Sequence, residues 1–405
     1  MWPAVLPLLL FLGYQSDYYQ SGLKALDEKN FQAAVDDFTK AAAAEPKDYT
    51  AHFNLALAYS LLGKDADAIP EYKRTLELKP DLYQAELNLG ICLLRTKQAS
   101  DAAPYLTAAA SQKPKEFRPN YYSGEALSAS GQPDKAEPYF KTALEADPKS
   151  AAAELGLAHA LAKTNRLAEA APFFQKAAEA DPQYRNDLLE LASLYETQKQ
   201  PDAAIAIYQQ FPENPGAQER LGELLMDSGR PGDAIPHFQA AIDKSPTTGN
   251  RAALASAYVK NKEPDKALPL VAAILQAEPN NFDARMFGGR ILRDQHKYPQ
   301  AADQFYRATQ IKNDSAEAWS ELSTVLVLAE NYPAALTALD RVAALHAEKP
   351  GHVYFRAIVL DKIKQLKPAL ESYQRFLSMS NGQSPDEEFK ARQRVRIIER
   401  ELSKK

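Results

Sequence analysis

Residues 117–150 read FRPNYYSGEALSASGQPDKAEPYFKTALEADPKS. Two helix-forming segments are joined there by Gly131-Gln132-Pro133-Asp134, where the proline opens the second helix at a first-turn position at which its missing N–H costs nothing. The unit closes at Pro148, and the same proline returns every 34 residues, at Pro46, Pro80, Pro114, Pro148 and Pro182. Self-similarity at this period marks a helix-turn-helix solenoid, whose units bury their apolar faces only by stacking on one another. Length then counts repeats rather than ordinary domains, so 405 residues make one elongated array.

Aligned unit by unit, the chain resembles the tetratricopeptide repeat (TPR) family, with its pattern W-x2-L-G-x2-Y, A-x3-F, A and P. Gly22, Ala34, Phe38, Ala41 and Pro46 fill these slots in the first unit; Gly124, Ala136, Phe140, Ala143 and Pro148 fill them in the fourth. Later units drift but remain legible, through Leu221, Gly222, Ala234 and Phe238 in the seventh to Trp319 in the tenth. The resemblance implies an all-α fold, a right-handed α-solenoid superhelix of eleven repeats. Small slots let the two helices of a unit cross closely, and aromatic or leucine slots fill the holes between units.

The expected organisation is an apolar leader at 1–14, repeats one to six at 15–212, repeats seven to eleven at 215–383, and a capping helix at 384–405. Gln210 to Gly216 replaces the last turn of a helix and leaves that unit four residues short. Two readings stand for the break, a hinge or simple repeat drift. Ser384-Pro385-Asp386-Glu387 reads as an N-cap, a first-position proline and a capping-box glutamate. A further proline recurs one turn inside the second helices, at Pro70, Pro104, Pro138, Pro172, Pro236 and Pro269, where it removes a backbone hydrogen bond.

The balance of 48 basic against 53 acidic residues gives a net charge of -5 and no general pull toward nucleic acid. Cys92 is the only cysteine, which excludes an intramolecular disulfide and a thiolate-rich metal site; among Leu89, Ile91 and Leu93 it reads as an inert packed thiol. The uncharged run to Leu12 has the length of a secretory core but lacks a basic flank. It reads as an export signal or tether, giving a periplasmic or membrane-tethered location, or else as a leader folded onto the first repeat.

Catalysis needs a constellation, and the sequence offers none. The histidines, His52, His159, His237, His296, His346 and His352, are scattered, and neither H-E-x-x-H, a phosphate loop nor a G-x-S-x-G elbow is present. No enzymatic activity, cofactor or metal is therefore expected. What remains is protein recognition. The family resemblance implies that the first helix of each unit lines a concave groove, with Tyr19, Leu23, Phe53, Leu57, Leu61, Leu87, Ile91, Leu94 and Tyr121 forming an apolar strip for a partner segment. The leader, a second copy or inter-repeat packing could equally cover that strip. Farther along, the slots turn polar at Glu125, His159 and Ser193. Lys260, Arg290 and Arg293 then form a basic stretch suited to an acidic peptide. The carboxylate-clamp subtype is matched only by Asn54, Asn88 and Arg118. The expected function is a non-catalytic scaffold or adaptor, with an envelope assembly accessory or a regulatory subunit of an enzyme on another chain as alternatives.

Overall fold

The computed structural model describes residues 17–403; the leader at 1–14 lies outside the described residues. Among the described residues there are 23 α-helices and no strand. Ten consecutive helix pairs are in contact, two further helices between Asp187 and Tyr208 follow in chain order, and a closing helix ends the described residues, a solenoid of the kind the period implies. The chain divides into two compact units, one extending to Ile207 and the other beginning at Tyr208.

In the first unit, α1 (Asp17–Asp27) pairs with α2 (Phe31–Ala44), α3 (Tyr49–Leu61) with α4 (Asp65–Leu78), and α5 (Tyr83–Arg95) with α6 (Ala99–Gln112). The next pairs are α7 (Phe117–Ala129) with α8 (Pro133–Ala146) and α9 (Ala151–Lys163) with α10 (Leu167–Ala180). A 3-10 turn at Pro182–Tyr184 then delays α11 (Asp187–Thr197), which is followed by α12 (Pro201–Tyr208). The second unit continues with α13 (Pro215–Asp227), α14 (Pro231–Lys244), α15 (Thr248–Lys260), α16 (Pro264–Ala277), α17 (Phe282–Asp294) and α18 (Tyr298–Ile311). It ends with α19 (Ala316–Leu328), α20 (Tyr332–Ala344), α21 (Pro350–Lys362), α22 (Leu366–Ser380) and α23 (Pro385–Leu402).

The small-to-large pairing is what lets each pair cross closely. A Cβ placed on Gly22, Gly124, Gly222 or Gly289 would lie 2.8, 2.8, 2.7 or 2.6 Å from the ring of Phe38, Phe140, Phe238 or Phe305. Those four rings expose 1% or less of their surface. Each turn within a pair contains one residue in the left-handed region, yet only Gly63, Gly131 and Gly229 are glycines; Lys29, Lys97, Asn165, Lys199, Lys262, His296, Glu330 and Lys364 fill the rest. Prolines open α8, α12, α14 and α16, as the turn chemistry predicts.

The inner prolines do not stop their helices. Pro70, Pro104, Pro138, Pro172, Pro236 and Pro269 are each the sixth residue of a helix that continues, and each is exposed. The carbonyl that loses its partner lies on the same outer side, within reach of water. The shortened break is also ordered: Asn214 caps α13 by accepting from the Ala217 N–H, and Gln218 Nε2 donates to the Phe211 carbonyl at 3.1 Å.

The closing helix spans Pro385–Leu402, but its start differs from the expected capping box. The Ser384 side chain makes no cap bond. Glu388 reaches back instead, accepting from Ser380 Oγ at 2.7 Å and from the Gly382 N–H at 2.6 Å. Arg394 binds both Asp361 oxygens, at 2.5 and 2.7 Å, and ties the helix to α21.

Candidate functional site

In the first unit, the odd-numbered helices of successive repeats touch each other (α3 with α5, α5 with α7, α7 with α9), while the even-numbered ones make no comparable contact. The odd-numbered helices therefore form that unit's inner row. Their large side chains are spent on this closeness. Tyr19, Phe53, Leu57, Leu87 and Ile91 are buried, none exposing more than 5% of its surface. Leu23, Leu61, Leu94 and Tyr121 are half-buried. Tyr121 stacks on Phe117, with ring centroids 5.4 Å apart, and burial pushes its phenol pKa up.

The slots shared with the carboxylate clamp are closed as well. Asn54 is buried and donates to Tyr19 Oη at 2.9 Å and to the Thr50 carbonyl at 3.0 Å, and Asn88 is also buried. Cys92 sits 2.8 Å from Ser60 Oγ, and burial raises its thiol pKa to about 12, which suppresses the thiolate.

Of the basic slots, Lys260 is exposed, but the two arginines are already matched. Arg290 pairs with Glu317 at 2.6 Å and with Glu321 at 3.3 Å, and Arg293 pairs with Glu321 at 2.5 Å. An acidic peptide would have to displace both carboxylates of α19.

The accessible apolar space lies elsewhere. A cavity of about 490 Å³ opens between α15, α16 and α17. Thr248, Gly249, Ala252 and Ser256 line it from α15, Val271 and Ile274 on α16 are buried at its base, and half-buried Phe287 lines it from α17. Glu278 and Asp283 stand at its polar edge. Glu278 accepts from Thr248 Oγ1 at 2.6 Å and from Asn281 Nδ2 at 2.7 Å, which holds its carboxyl below the usual range and keeps it ionised. Sequence reading did not find this opening, because it arises from small residues in slots that elsewhere carry bulk.

The repeat model for the tetratricopeptide family matches residues 19–83, 62–117, 123–185 and 189–247, and a second model of the same family matches 225–291. The chain belongs to the tetratricopeptide repeat family. Repeats of this family are protein-interaction modules and typically non-catalytic, and this TPR protein is an interaction scaffold in that general sense. Similar solved structures include MamA AMB-1, at 26% identity over 41% of this chain and 98% of that one, with a TM-score of 0.39. MamA from Desulfovibrio magneticus RS-1 is 23% identical over 42% and 98%, also with a TM-score of 0.39. No curated protein matches the TPR chain. No described helix is long and apolar enough to cross a membrane.

Proposed function

We propose that the protein is a non-catalytic scaffold that docks a segment of a partner protein in the inner face of repeats eight and nine. The observation that carries this reading is the cavity between α15 and α17, where small α15 residues leave a recess bounded by half-buried Phe287. A segment with one aliphatic or aromatic anchor fits the floor of Val271, Ile274 and Phe287. The carboxylates of Glu278 and Asp283 favour a lysine or arginine beside that anchor.

The test is quantitative capture from the native host with the full chain and with Ser256→Trp, which fills the cavity, using Phe389→Ala on the exposed side of α23 as the control. Selective loss of a partner with Ser256→Trp, and its retention by the control, supports the reading. Identical captures from all three proteins would remove it.

A further inference from the structure

The inner row of the first unit carries a feature that the docking reading does not use. His159 on α9 occupies the slot filled by Leu57 in repeat two and Ile91 in repeat three. Opposite it, Asp187 and Glu190 lie three residues apart at the start of α11, and so share one face of that helix. The 3-10 turn at Pro182–Tyr184 brings them there by delaying the helix start to Asp187.

His159 Nε2 is 3.3 Å from Glu190 Oε2, and one ligand atom from each of the three residues lies within 4.8 Å of the other two. The nitrogen is shut off from solvent, yet it makes no hydrogen bond, so this approach lacks the alignment of a bonded pair. A histidine bonded to a carboxylate stands closer, at about 2.8 Å. Two ligands held at about 2.05 Å from one ion, at the tetrahedral angle, stand about 3.3 Å apart. The imidazole is also fixed in orientation, because it packs edge-on against Phe174 with ring centroids 5.2 Å apart.

The surroundings are net acidic. Burial raises the pKa of the Tyr184 phenol, and the nearby carboxylates of Asp181, Glu125 and Asp187 raise it further. Lys163 is the cation that offsets Glu125. Two carboxylates facing one imidazole repel each other, and a cation between them relieves that repulsion. The donor set also selects among cations: magnesium and calcium take oxygen ligands, whereas an imidazole nitrogen suits the zinc group of first-row metals.

We propose that His159, Asp187 and Glu190 bind a first-row transition dication of the zinc class. Three protein ligands leave a coordination position for water or for a partner's side chain, and Glu190 at the exposed edge marks where that position opens. The site is independent of the docking cavity, since it lies in the first unit.

The test uses the full chain stripped with a chelator and titrated with Zn2+ in a calorimeter, and with Co2+ in a spectrophotometer. One Zn2+ per chain is expected at His159, with a cobalt spectrum of reduced coordination number and no competition from a thousandfold excess of Mg2+. His159→Ala should weaken Zn2+ binding at least about a hundredfold, and Asp187→Asn or Glu190→Gln at least about tenfold each. His296→Ala should leave it unchanged, because that exposed ring is outside the cluster. Circular dichroism checks each variant, and should His159→Ala fail to fold, the two isosteric carboxylate variants decide. Absence of Zn2+ binding at 100-fold excess over the chain would overturn the proposal. So would binding that survives the paired Asp187→Asn and Glu190→Gln change, since the ion would then be held elsewhere.

Discussion

Repeats two and eight use the same pair of first-helix slots in opposite ways. Repeat two places Phe53 and Leu57 there, and repeat eight places Ala252 and Ser256. The large pair disappears into the packing between neighbouring helices, exposing 0% and 2% of its surface. The small pair leaves a cavity of about 490 Å³ bounded by α16 and α17. An apolar slot on a first helix thus leaves a recess only when its residue is too small to close the gap. Bulk there fills the space and strengthens the array.

The comparison breaks most visibly at its packed end. Leu57→Asp or Ile91→Asp places a charge where there is almost no exposure, so each should cost more than about 3 kcal/mol in urea unfolding and reduce helicity. Retained stability would mean that these side chains face an open groove. Next comes the close crossing in repeat four. Gly124→Val adds bulk to a position where even a Cβ sits 2.8 Å from Phe140, and should cost about 2 kcal/mol. At the open end, Ala252→Leu should change stability by less than about 1 kcal/mol, or raise it, because the added methyls enter empty space; a loss as large as that at Gly124 would equate the two regions.

The smallest effect is a drift with pH. His352 is buried, its Nδ1 accepts from the Lys349 N–H at 3.0 Å, and its Nε2 lies 2.7 Å from Ser320 Oγ. Burial, with Lys349 nearby, holds the pKa of this imidazole below its ordinary 6.5. The unfolded chain therefore takes up a proton before the folded chain does. This contribution is present above about pH 6.5 and is lost as pH falls below that value toward the folded pKa. Denaturant melts at pH 7.5 and 5.5 should show the loss, and His352→Gln should reduce it.

Much of this was legible from residue spacing. The 34-residue proline interval of the first five units and the small-to-large slots that recur along the chain are local rules, so the helix pairs, their turns and the closing helix could be read directly. Other features depend on how far one repeat stands from the next. The burial of Leu57 and Ile91 is decided by the neighbouring first helix, and the cavity by the absence of bulk at Ala252. Asp187 meets His159 only because a turn of 3-10 helix resets the start of α11, a shift of two or three residues that periodicity does not specify. Glu388 in place of the capping box belongs to the same group: its partners are Ser380 at the end of α22 and Gly382 in the loop that follows.

In the second unit, the steps from α16 to α17 and from α20 to α21 are packed more thinly than the others. An array held together by nearest-neighbour interfaces loosens first where an interface is weakest, so amide exchange in this unit should proceed in three blocks: α13 to α16, α17 to α20, and α21 to α23. The docking cavity lies across the first of these seams. Whatever fills it joins two blocks that otherwise open separately, so occupancy would register as slowed exchange across both blocks, well beyond the residues it touches.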